Sequence, residues 1–170
     1  MKARDLTLSA ILLAVGTALH FVAPGIFLGV TPDFIIAFMF IALSINPDFR
    51  KSIVIGLAAG LLAAMTTKFP GGQIPNIIDK LLTAILVYGI INLGFKKDVT
   101  ILGMGIIQTV GTFISGTIFL TSCTIIAGFD PNSIIPVLAS VVTAAAVGNV
   151  ILGVIVYKAY GLATRNLQYN

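Results

Sequence analysis

Polar positions are rare along this chain and come in bunches. Apolar runs of helix length fill the spaces between them. The runs predict six membrane helices at about 6–23, 32–46, 52–67, 76–94, 100–127 and 133–161, in one domain covering 1–170. Pro24, Gly25 and Gly29 end the first run. The linker after it is itself apolar (Ile26, Phe27, Leu28, Val30), which places it on or in the protein rather than in bulk water. The second helix opens at Thr31-Pro32-Asp33, with Thr31 suited to cap, Pro32 to the first position and Asp33 to the helix dipole. It stops near Asn46-Pro47, which leaves it about 20 Å long and short of a full crossing. Helices five and six approach 40 Å and must tilt or project. There is no long-period repeat and no pair of inverted halves.

The few charges then orient the bundle. Eight of the ten Lys and Arg fall in four groups, Lys2/Arg4, Arg50/Lys51, Lys96/Lys97 and Lys158/Arg165, each separated by about two helices. Cytoplasmic connections collect Lys and Arg, so every second connection is cytoplasmic and both termini lie inside. With 58% hydrophobic and 9% charged residues, the composition does not suit a water-soluble domain, which carries about 25% charge. The expected setting is a multi-pass position in the cytoplasmic membrane. The net charge of +4 fits anionic lipid, not nucleic acid. The basic-then-apolar start resembles a signal peptide, but its apolar run exceeds an h-region of about 7–15 residues and reads as an uncleaved helix.

Candidate chemistry is sparse. The sole cysteine, Cys123, sits in an apolar run and reads as packing. No phosphate loop, HExxH or CxxC motif occurs, and there is no glutamate. No cofactor, metal site or enzyme activity is expected. Ala10, Ala14 and Ala18 line one face of the first helix, and Gly56, Gly60 and Ala64 do so on the third. Small residues at that spacing admit a close helix neighbour, from this chain or from another protein. The loop Phe69-Pro70-Gly71-Gly72-Gln73-Ile74-Pro75 is either a tight reversal or a ligand cradle, since Gly-Gly permits positive φ and close approach. Asn76 and Asp79 suit either a capping box or a site. Adjacent residues face different sides of a helix, so Asp79 and Lys80 are expected to point apart. Lys80, one turn into the helix, either is functional or paired, or snorkels outward. His20 either makes a structural bond or lines a cavity. Asn149 reads as an interhelical hydrogen bond.

Three segments carry a resemblance: Ala-Leu-His-Phe-Val-Ala-Pro at 18–24, Thr-Pro-Asp at 31–33 and Lys-Phe-Pro-Gly-Gly-Gln-Ile-Pro-Asn-Ile-Ile-Asp-Lys at 68–80. They resemble the bacterial tryptophan transporter family, over nearly the whole chain. That family is similar to the substrate-binding S-components of energy-coupling factor (ECF) transporters. The resemblance implies a six-helix fold and L-tryptophan as ligand, bound near the outer surface at Phe69, Gly71, Gly72, Gln73, Asn76, Asp79 and Lys80, to which His20 is added as a candidate from its place near the outer end of the first helix. It also implies an Ala10/Ala14/Ala18 face toward an ECF coupling subunit, with partner ATPases supplying energy. A solitary tryptophan carrier and a membrane sensor or partner-binding protein are the alternatives.

Overall fold

The computed structural model describes residues 3–23, 31–96 and 98–167. The apolar linker at 24–30 lies outside them. Five helices are long and apolar enough to cross a bilayer, and a sixth is shorter. The chain is a multi-pass membrane protein. In order they are α1 (Ala3–Val22), α2 (Phe34–Ser44), α3 (Phe49–Thr66), α4 (Gln73–Gly94), α5 (Ile101–Ala127) and a composite last helix. The last begins with a 3-10 turn at Pro131–Ser133 and continues as α6 (Ile134–Val137). It then widens into a π turn at Leu138–Val142 and runs on as α7 (Thr143–Leu167). α1 and α3 start three residues before the expected boundaries, as does α4, and the last helix extends six residues further.

The second helix is the hub. It packs against α1, α3, α4, α5 and α7. All eleven of its residues are buried. Eleven residues give about 16 Å of helix, even shorter than expected. Both ends of so short a helix fall where backbone groups need partners, and both are provided for. At the start, Asp33 rather than Thr31 is the cap and accepts from the Ile36 amide at 3.1 Å. At the far end, the Lys51 ammonium donates to the carbonyls of Ala42, at 3.0 Å, and Ile45.

Lys51 lies in the first turn of α3 rather than in the turn before it. It is 1% exposed, because its stem folds back along the apolar core and its head finds the free carbonyls of α2. Asp48 caps α3 through the Lys51 amide at 2.9 Å, and that bond holds its carboxyl below the usual range. Asn46 donates to Asp5 at 3.2 Å, which ties the start of α1 to the same end. Tyr157 of α7 donates to the Val99 carbonyl at 2.8 Å, beside the start of α5. These contacts belong to the end of the bundle to which the sequence assigns its basic groups.

The two small-residue faces behave differently. A Cβ on Gly56 would stand 2.7 Å from the Ala84 Cβ and 3.0 Å from the Lys80 carbonyl oxygen. One on Gly60 would stand 2.9 Å from the Ile77 Cα. That face is used internally, to bring α3 against α4. On α1 the buried face is Asp5, Ser9, Leu13 and Gly16, where Gly16 admits Phe34 and Phe38 of α2. Ala10, Ala14 and Ala18 are all exposed, together with Ile11 and Val15.

Candidate functional site

The end of the bundle opposite Lys51 holds a cavity of about 550 Å³. Small-molecule sites usually fall at about 300–1,000 Å³. α4 supplies its charged wall. Its first turn begins at Gln73 and is capped by the Gly72 backbone without a side-chain bond. Asn76 is not the cap. Its side-chain amide donates back to the Gly72 carbonyl at 2.8 Å, which braces the turn. One turn further on, Asp79 is fully buried and Lys80 is 3% exposed.

Asp79 and Lys80 do not point apart. The Lys80 ammonium lies 2.7 Å from Asp79 Oδ2. The spacing rule governs the Cα–Cβ directions, but four methylenes carry Nζ back around the helix. Asp79 is held further by Ser115, which donates at 2.8 Å, and by Thr83, at 2.9 Å. On its other side Lys80 pairs with Asp33 at 2.8 Å. Two carboxylates around one ammonium leave this group one negative charge. Asp33, with 30% of its side chain exposed, is its accessible member.

Of the eight expected ligand residues, the cavity wall brings together His20, Phe69, Asn76, Asp79 and Lys80. Gly71, Gly72 and Gln73 do not line it. They shape the turn behind, where Gly71 takes a φ of +73° and Gly72 packs under Phe69 and Thr67. Phe69 stacks edge-on against Phe119 and Phe129, with centroids 5.4 and 5.6 Å apart. The loop thereby tethers the ends of α3, α4 and α5 at the mouth.

The sequence reading missed Asp33, Thr112 and Ser115 as site residues. By its position Asp33 suits a first-turn charge on the helix dipole, and in the fold it both caps α2 and pairs with Lys80. A signal for the others was present. Gln108, Thr112 and Ser115 recur at i, i+4 and i+7 in a helix without formal charge, and all three are buried. Asn149 makes the expected interhelical bond, to Thr112 at 3.0 Å. Among the described residues, no group of three or more His, Cys, Asp or Glu is placed to hold a metal.

A mostly apolar cavity with one charged wall, in a membrane bundle, can now be set beside known proteins. A family model described as "Tryptophan transporter TrpP" matches residues 2–165. The chain belongs to this tryptophan transporter family. A probable tryptophan transport protein of Clostridium acetobutylicum is 41% identical over 159 residues, covering 94% of this chain and 92% of that one. Proteins of the same description in Clostridium perfringens and Bacillus subtilis are each 38% identical, over 164 and 157 residues. They cover 90% and 92% of this chain, and it covers 88% and 90% of them. No solved structure matches the chain.

Proposed function

We propose that this chain binds L-tryptophan in the α4 cavity and mediates its uptake, as the substrate-binding subunit of an ECF-type complex. The cavity carries this reading. It sets a net-negative charged group beside apolar walls from α2, α5 and the last helix. An amino acid brings an ammonium, and Asp33 is the acceptor it can reach. Lys80 is already shared between two carboxylates, so it holds the aspartates in place rather than serving as the main anchor for the ligand carboxylate. The carboxylate is directed toward His20, Thr67 and Lys68 at the mouth. Burial of an indole ring contributes about 4–6 kcal/mol gross. Micromolar affinity requires about −8 kcal/mol net, so the polar contacts must contribute substantially.

The chain contains no tryptophan, so red-edge excitation reports the ligand almost alone. Purified protein should shift tryptophan emission to the blue and raise its anisotropy. Asp33→Asn removes the accessible charge while keeping a cap, and should weaken binding at least about tenfold, the cost of one charge-assisted bond. Tryptamine, which keeps the ammonium, should lose as much; indole-3-propionate, which lacks it, should not. An unchanged ligand spectrum with folded protein at high micromolar concentration would defeat the tryptophan reading.

The exposed face of α1 supports the partner half of the proposal. Ala10, Ala14 and Ala18 are exposed in the described fold, so added bulk there meets little of this chain. Ala14→Leu should leave stability and ligand binding intact and reduce uptake in cells. Uptake that persists without ECF components, or with Ala14→Leu, would favour a solitary carrier.

A further inference from the structure

The cavity has a polar group at its deep end that the charged wall does not explain. α5 lines it with Phe119 nearest the mouth, then Gly116 and Ser115, and Thr112 deepest. The last helix lines it with Val141, Val142 and Ala145. Asn149, one turn deeper, is fully buried and backs Thr112. Past Ser115, whose hydroxyl is engaged by Asp79 and Lys80, the way to Thr112 is an apolar slot with Ile36 on one side and Val142 and Ala145 on the other. Gly116, with no side chain, lets Val142 of the last helix pack closely against α5 here. A Cβ there would stand 2.8 Å from both Val142 methyls.

The hydrogen-bond inventory at the deep end is incomplete. Asn149 Nδ2 donates to Thr112 Oγ1 at 3.0 Å, while Asn149 Oδ1 has no partner. Buried amide oxygens without a partner are uncommon. A hydroxyl oxygen has two lone pairs, so Thr112 keeps one for a donor in the cavity. Turning the Asn149 amide over changes nothing essential. Oδ1 then accepts the Thr112 proton, and both Thr112 lone pairs are left. In either arrangement Thr112 Oγ1 keeps a lone pair for a donor at the end of this slot; its own proton is uncommitted in the first and goes to Asn149 Oδ1 in the second.

Resting on the reading that tryptophan is the ligand, we infer that Thr112, positioned by Asn149, accepts the indole N–H and is the residue that selects indole over other aromatic rings. An indole is a flat apolar body with a single donor on its edge, and that is the complement of the slot. A phenyl ring has no such donor. It would leave Thr112 facing an apolar atom, and a site built to receive a hydrogen bond rejects the analogue that lacks it.

The test uses L-3-benzothienylalanine, in which sulfur replaces the indole N–H at nearly the same shape. Affinities are read by direct tryptophan fluorescence and by displacement of bound tryptophan. On the wild-type chain the analogue should bind roughly ten- to a hundredfold more weakly than tryptophan. Thr112→Val keeps the shape and removes the acceptor. It should lower tryptophan affinity to about that of the analogue and leave the analogue nearly unaffected, so their ratio falls toward one. Thr112→Ser should restore the ratio. Equal affinities on the wild-type chain would overturn the inference, with no variant needed. So would a ratio that survives Thr112→Val in protein that still binds tryptophan. Binding of neither ligand by folded wild-type protein would instead overturn the tryptophan reading beneath it.

Discussion

Lys80→Met should cost about 3–5 kcal/mol of stability, enough to prevent many copies of the chain from folding. The substitution keeps most of the stem and removes the ammonium. It leaves Asp79, fully buried, and Asp33, largely buried, without their shared counter-charge. The two possible repairs should differ. Adding Asp79→Asn restores the wild-type net charge of the group and removes the carboxylate that water cannot reach. Thr83 and Ser115 remain as partners for the new amide. Adding Asp33→Asn restores the same net charge but leaves the fully buried carboxylate in place. Thermal unfolding in detergent should show substantial recovery for the first pair and little for the second. Equal recovery would mean that only total charge matters, and a fully stable Lys80→Met would mean that the lysine extends to the interface and makes neither pair.

Gly60→Val is expected to separate α3 from α4. The new Cβ would meet the Cα of Ile77 at 2.9 Å, its carbonyl oxygen at 3.1 Å and the Asn76 carbonyl oxygen at 3.4 Å. These are backbone atoms, so no rotamer change relieves the overlap. The penalty should reach about 3 kcal/mol, the upper end of the overpacking range. α4 would shift outward with Asn76, Asp79 and Lys80, and ligand affinity should fall with stability. Ala14→Leu adds the same number of carbons to another small-residue face and should do neither, because that face is exposed. Unfolding and binding measurements on the two variants together separate an internal contact from an external one. A Gly60→Val protein with wild-type behaviour would rule out the close approach.

Much of this architecture is legible in the sequence because lipid imposes a simple rule on it. Apolar runs give the helices, and the Asn-Pro and Gly-Gly breaks give their ends. The brevity of α2 is visible in the distance from Thr31 to Asn46. The departures share one cause. Local position sets the expectation for Lys51, Lys80 and Asp33, whereas Lys51 reaches carbonyls of α2 and Asp33 pairs with Lys80 of α4. A lysine head lies several ångströms from its Cα, so neither a basic loop nor a helix-face rule fixes where the charge goes. Asp33 meets Lys80 only because α2 lies at the centre, against α4. Thr112 left a faint mark in the polar stripe of α5, yet its pairing with Asn149 depends on how α5 and the last helix meet below the cavity.

The order of assembly follows from the wrapping of α2. Its eleven residues are the most apolar stretch of the chain, and none of them is exposed to lipid. A segment of that length inserted alone would span about half the hydrocarbon, with both ends of its backbone unsatisfied. Its inner end is satisfied only when α3 arrives with Lys51, and the charge of its outer cap only when α4 arrives with Lys80. A nascent chain therefore cannot settle its second helix until the fourth has been made. Until then that helix has no stable place in the bilayer.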